Sequence, residues 1–242
     1  MVKLTTGIIL LLLITFTVVL TECVQVNLID SNPTLQRYLL RGDSPVIGLN
    51  LDMKTLQTAI QAEIKSKTNQ NVDDFYLVDI SVLKVDSVVQ EEAYFAMHSK
   101  EGEFIHWPLV GNPANISGLP EWLQASLVVE GQGVWNLEDQ LIGRVDQLTH
   151  WVHNKTSINN LKSHHQSNIV FFIHDDNGVD QTGEISGAYY LANFGWTWSK
   201  TLLYNSLIHK KYQPMPKWNI NEMNWYCFYL YFNNKGPDTC NY

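Results

Sequence analysis

The stretch that decides the fold is Asn168-Ile169-Val170-Phe171-Phe172-Ile173-His174-Asp175-Asp176-Asn177-Gly178-Val179-Asp180-Gln181-Thr182-Gly183-Glu184. Ile169 to Ile173 is an unbroken β-branched and aromatic run, the pattern of a buried strand. A tight polar loop with Gly178 follows, and Gly183 opens an amphipathic segment that reads as a helix to Trp196. Strand, short loop and helix start together make an anion cradle, because successive backbone N–H groups and the helix dipole point into the loop.

Around this stretch, further strands are expected at Val24–Leu28, within Asp74–Val85 (Phe75 to Leu83) and at Glu103–Val110. Pro108 marks the end of the last of these, since proline is tolerated only at strand edges and ends. Helices are expected over Leu51–Lys67, where Leu56, Ile60 and Ile64 share a face, and over Leu137–His153, where Leu137, Leu141, Val145, Leu148 and Val152 recur at helical spacing. Two more cover Ser199–His209 and the aromatic run Asn221–Phe232. Gly131-Gln132-Gly133 reads as a flexible connector, and no internal repeat or linker divides the chain. Strands alternating with helices predict a single three-layer α/β domain with a mainly parallel central sheet flanked by helices. In such sheets ligands sit beyond the carboxyl ends of the strands, where the 174–183 loop falls.

The 242 residues suffice for one sizeable core, and the formal net charge of −8 speaks against a nucleic-acid surface or a polybasic membrane patch. Residues 1–23 read as a secretory signal peptide: Lys3 leads, Ile8 to Leu20 is apolar except for Thr15 and Thr17, and Thr21-Glu22-Cys23 offers a cleavage site. The mature part is then residues 24–242, destined for the secretory lumen or outside the cell, with no stable membrane span, since Met223 to Phe232 is far too short for one. Cleavage after Cys23 leaves Cys227 and Cys240, an even pair suited to a disulfide in an oxidising compartment. Asn115-Ile116-Ser117 and Asn154-Lys155-Thr156 are glycosylation sequons.

The central loop resembles the signature H-C-x-x-G-x-x-R-[ST]-G of the cysteine-dependent phosphatases, the protein-tyrosine and dual-specificity superfamily. His174, Gly178, Thr182 and Gly183 stand where that pattern wants them. Asp175 stands in place of the nucleophilic Cys, and Gln181 in place of the phosphate-clamping Arg. With its leader and paired C-terminal cysteines, the chain is similar to secreted phosphatase-like proteins of protists. The resemblance implies a phosphatase-like fold. It also implies that the thiolate attack and the bidentate guanidinium clamp on phosphate are both gone. Asp175 is a poor nucleophile toward a phosphate dianion, and Asp176 and Asp180 add negative charge to the same loop. The Asp175 carboxylate is therefore expected to accept the loop amides that phosphate would otherwise occupy. Trp107-Pro108 is similar to the tyrosine phosphatases' Trp-Pro-Asp loop, but Leu109 stands where the general acid belongs.

A secreted pseudophosphatase glycoprotein follows as the leading expectation, acting by binding an unidentified protein or small anionic ligand. The alternative is an active phosphoric-ester hydrolase that uses carboxylates, with or without a metal ion. No cofactor and no metal are expected: His174-Asp175-Asp176 beside His164-His165 lacks the spacing of a ligand set. Glu184 and Ile185 replace the Lys and Ser/Thr of a nucleotide P-loop, and no G-x-S-x-G elbow is present. Arg41-Gly42-Asp43 spells an integrin-binding tripeptide and is set aside as a chance match.

Overall fold

The computed structural model describes residues 24–84, 88–129, 134–154, 161–162, 168–208, 213–237 and 239–240. The leader 1–23, the 131–133 connector and His164-His165 lie outside the described residues.

Two strands open the fold, β1 (Val26–Asn32) and β2 (Arg37–Asp43), followed by a two-stranded ribbon of β3 (Val46–Ile47) and β4 (Asn50–Leu51). Next come α1 (Met53–Thr68), β5 (Tyr76–Ser81), α2 (Val89–Met97), β6 (Gly102–His106), α3 (Glu121–Val129) and α4 (Leu141–His153). The chain closes with β7 (Ile169–Asp175), α5 (Gln181–Phe194), α6 (Trp198–Leu207) and α7 (Lys217–Phe232). The main sheet runs β1-β2-β7-β5-β6, parallel throughout except for the antiparallel edge strand β1. The expected mixed α/β architecture with a mainly parallel sheet is what the chain adopts.

Why β7 lies at the centre follows from its composition. All seven of its residues are buried, so it needs a neighbour on each edge and cover on each face. Its alternate residues feed two cores. Phe171 and Ile173 join Val78, Ile80, Val145, Tyr189 and Phe228 under α4, α5 and α7, whereas Val170 and Phe172 join Leu40, Leu77, Leu56, Ile60 and Phe95 under α1 and α2. The carboxyl end of β7 emerges between β2 and β5 at the middle of the sheet, the position at which parallel α/β sheets present their ligand-binding loops.

Several expected boundaries shift for identifiable reasons. The Glu103–Val110 strand pairs only to His106. Beyond it the Trp107 and Leu109 amides still reach the Ser81 and Val82 carbonyls at 2.9 and 3.2 Å, but Pro108 between them has no N–H to give. The Leu137–His153 helix begins four residues late, at Leu141. Gln140 takes a left-handed backbone (φ 50°), and Asp139 turns inward to accept from the Val110 and Gly111 amides at 2.8 and 2.7 Å. Leu137, expected on the apolar face, is exposed. The Val24–Leu28 strand extends to Asn32, and the last helix starts at Lys217 behind Pro216, not at Asn221. The strand at β2 and helices α2 and α3 lie in segments where the hydrophobic pattern announces no element.

The C-terminal cysteines are joined: Cys227 on α7 and Cys240 form a disulfide with Cα atoms 5.7 Å apart, which ties the tail to the helix. Among the described residues, no helix is long and apolar enough to cross a membrane. Arg41 of the integrin-like tripeptide is buried inside β2, so the motif is a strand segment and not a displayed loop.

Candidate functional site: a loop filled by its own carboxylate

β7 delivers His174 and Asp175 to its end, residues 176–180 turn, and α5 starts at Gln181. The turn works because Gly178 takes φ +68° and passes under the end of β2. A Cβ there would sit 2.7 Å from the Gly42 carbonyl carbon and oxygen. Only glycine meets both the left-handed conformation and the close approach. Gly183 is different in kind: it is helical, and its Cβ would meet the flexible Met215 sulfur.

The Asp175 carboxylate turns into the loop. Its Oδ1 accepts from the Gly178 amide and, at 3.2 Å, from the Asn177 amide, while its Oδ2 accepts from the Thr182 amide at 3.1 Å. These are the donors that a strand–loop–helix cradle would offer an anion. Asp175 is almost fully buried, so its charge is met by backbone and not by water. A buried guanidinium also reaches the loop, though not from position 181: Arg41 on β2 donates through Nη2 to the Gly178 carbonyl at 2.8 Å, and through Nη1 to Asn205. Gln181 is half-buried at the helix start. Thr182 is fully buried, and its hydroxyl makes no hydrogen bond. Asp180 precedes α5 without capping it. Burial pushes its carboxyl up, and the neighbouring Asp175 charge pushes it further. A pocket of about 260 Å³ over the loop is lined by Leu83, Lys84, Asp175, Asp176, Asp180 and Gln181. The lining carries Asp176 and Asp180 opposite one amine, with Asp175 turned into the loop.

His174 points to the α1/α2 side of the sheet, where it stacks on Phe172 with ring centroids 5.3 Å apart. Its Nε2 lies 3.1 Å from Asp79 Oδ1 on β5 and 3.4 Å from Glu91 Oε1 on α2, all fully buried. Burial alone would pull the imidazolium down. Asp79 in direct contact, then Glu91 and Asp175, outweigh that and lift His174 to about 9. Burial pushes Glu91 up to about 7, with the Asp79 charge adding to it against the opposing pull of His174. Neither Asp79 nor Glu91 is legible as a site residue from local pattern. The one signal is a charged residue inside the apolar strand Tyr76-Leu77-Val78-Asp79-Ile80-Ser81.

A second buried acidic group lies under α5. Glu184 accepts from Asn219 at 2.7 Å, Glu222 from Asn112 at 3.0 Å, and Asp139 lies near enough to act on both. Burial pushes Glu184 well above the carboxylate range, and the charges of Asp139 and Glu222 push it further. Glu222 is pushed up to about 8 by burial and by the Asp139 and Glu138 charges, against the Asn112 hydrogen bond. Arg144, also facing Asp139 and Glu184, spends its Nη1 donors on the Trp107 and Pro108 carbonyls at 3.2 and 2.9 Å. A folded pKa above the unfolded one means that the native state binds more protons, so stability falls as pH rises from about 4.5 through about 8. Melting temperature is expected to be higher at pH 5 than at pH 8. Glu222→Gln is expected to flatten that slope, and an unchanged slope in the variant would refute the assignment.

Trp107 stacks on Trp151 with centroids 5.5 Å apart, and Leu109 is fully buried, so this segment packs the core and brings no acid to the loop. Asn115 and Asn154 are both exposed.

Fold and loop thus define an α/β protein whose central anion cradle is filled by its own carboxylate. No protein-family model matches the chain, and no curated protein does. Among solved structures it is similar to P. aeruginosa TpbA, at 11% identity and a TM-score of 0.29 over 77% of this chain and 80% of that one. It is likewise similar to a cysteine-to-serine variant of P. aeruginosa TpbA in complex with pTyr, at 11% identity and a TM-score of 0.30 over 80% and 83%. Overlaps this low define neither a family nor an activity.

Proposed function

We propose that this chain is a secreted phosphatase-like glycoprotein, one domain over residues 24–242, that acts by binding and performs no thiol-based phosphoryl transfer. What carries the reading is the Asp175 carboxylate, held by the Asn177, Gly178 and Thr182 amides where a phosphate would be cradled. Transfer through such a loop needs an ionised thiol and a cation that stabilises the transferring group. Position 175 offers a tethered carboxylate, position 181 an uncharged amide, and the loop binds its own anion. The disulfide between Cys227 and Cys240 is compatible with an oxidising compartment, and exposed Asn115 and Asn154 are the carbohydrate sites. The rim also selects between partner classes. With Asp176 and Asp180 over a loop already filled by Asp175, a small anion is repelled, and a protein presenting a basic side chain is favoured.

The test is phosphomonoester hydrolysis by the mature protein with and without Mg²⁺, Mn²⁺ or Zn²⁺, beside the Asp175→Cys/Gln181→Arg double variant. The natural protein is expected to be silent under every condition, and the double variant to gain measurable turnover. Metal-dependent hydrolysis by the natural protein, abolished by EDTA, would overturn the reading in favour of a carboxylate-based hydrolase.

A further inference from the structure

Behind the loop the carboxylate oxygens of Asp79 and Glu91, the ring nitrogens of His174 and Ser81 Oγ are buried without an aligned hydrogen bond, and their closest contacts are those of His174 Nε2 to Asp79 and Glu91 at 3.1 and 3.4 Å. All four residues are fully buried. They come from three elements. Asp79 and Ser81 alternate along β5, so they face the same side of the sheet. Ser81 is the parallel partner of His174 in β7, and α2 lays Glu91 over both. Ser81 faces Glu91. Native proteins leave few buried polar atoms unpaired, because each costs about 1–3 kcal/mol. Three ligand atoms this close, from residues with so few aligned hydrogen bonds, leave a place for a further partner.

We propose that Asp79, Glu91 and His174 form a structural site for one divalent transition-metal ion of the zinc or manganese kind, with Ser81 beside it. Their ligand atoms all lie within 4.8 Å of one another. The 3.1 and 3.4 Å spacings from Nε2 to the two carboxylates match the edges of a coordination polyhedron, since ligands at about 2.0–2.2 Å from one ion sit roughly 3–3.5 Å apart. A hydrogen-bonded His–carboxylate pair would bring the N–H into line with an oxygen, and here it is in line with neither. Charge also closes. Binding a doubly charged ion displaces the His174 proton, and two carboxylates and a neutral imidazole around that ion then sum to zero, the condition under which ions are tolerated in a dry interior. One nitrogen and two oxygens suit zinc or manganese better than copper(I), which prefers sulfur, or calcium, which takes six to eight oxygens. Because no ligand is exposed, the ion joins α2 to the sheet and meets no substrate. It is therefore independent of the binding function proposed above and of any hydrolase reading.

The experiment is metal analysis of the full mature chain, purified without chelator, followed by unfolding and refolding in EDTA, Zn²⁺, Mn²⁺ or Co²⁺. The expected result is close to one equivalent of ion per chain, released on unfolding, and a higher melting temperature after refolding with metal than with EDTA. Co²⁺ refolding is expected to give visible ligand-field bands. Glu91→Gln, nearly isosteric, is expected to weaken binding by at least the roughly 10–100-fold that losing an outer partner of a metal ligand costs. Metal well below a tenth of an equivalent, no Co²⁺ bands and identical melting in EDTA and metal would overturn the proposal. That outcome would leave a proton-bridged His–carboxylate group. If Glu91→Gln fails to fold, the metal content and Co²⁺ spectrum of the natural chain still decide.

Discussion

Asp175→Ala is expected to cost about 3 kcal/mol of stability, since three amides lose a charged acceptor in a site nearly closed to water. For a chain of this size that is a fall in melting temperature of roughly 10 °C. The same variant uncovers the cradle. Phosphate or sulfate is then expected to restore stability in a concentration-dependent way, because an anion that binds only the folded state stabilises it by mass action. The natural protein, with its loop already filled, is expected to show no such shift. Thermal melts of both proteins across a phosphate titration check the pair of outcomes together. A natural protein that phosphate stabilises as strongly as the variant would mean that the carboxylate leaves the amides readily, and the filled-loop account would be wrong.

Gly178→Ala carries the other large effect, expected at about 4 kcal/mol. A residue with a Cβ pays roughly 1–2 kcal/mol to take a left-handed conformation. The added carbon also meets backbone and not a movable side chain: the Gly42 carbonyl at 2.7 Å and the Asp43 amide nitrogen at 2.9 Å. Relief requires the loop to move away from β2, which breaks the Arg41 bond to the Gly178 carbonyl and leaves a buried guanidinium short of an acceptor. Gly183→Ala is the control. Its clash falls on the end of the Met215 side chain, so its cost is expected to be well under half as large. Equilibrium urea unfolding of the two variants measures the difference. Equal costs would show that the approach of the loop to β2 does not constrain position 178.

Much of the loop was legible in the chain because its determinants are local. The apolar run Ile169–Ile173, the glycine at 178 and the helix start around Gln181 lie within thirteen consecutive residues. The inward turn of Asp175 follows from a carboxylate placed beside amides with no other acceptor. The helix over Leu51–Lys67 was equally readable: Leu56, Ile60 and Ile64 are all fully buried, and Asp52 caps the helix by accepting from the Thr55 amide at 3.1 Å. Helix α2 was not. Its Val89–Met97 span is short, leaves Val89 and Met97 exposed and buries Glu91, so hydrophobic periodicity reports nothing there. The late start of α4 was hidden for a related reason. Leu137 continues the apolar spacing of the helix, and only the distant Val110 and Gly111 amides pull Asp139 out of helical register.

The sequence by itself therefore determined the strand–loop–helix core of the site, the carboxylate at 175 and the uncharged amide at 181, the alternating α/β order and the candidate C-terminal cysteine pair. Each of these is a property of neighbouring residues or of composition. Tertiary structure alone decided that His174 meets Asp79 and Glu91, that Arg41 supports the loop from β2, and that Asp139, Glu184 and Glu222 gather under α5. These groups lie tens of residues or more apart in the chain. A carboxylate looks the same in sequence whether it ends in water or in the interior. Its burial, its charge state and its partners are set by which elements pack around it, and that is a property of the whole fold.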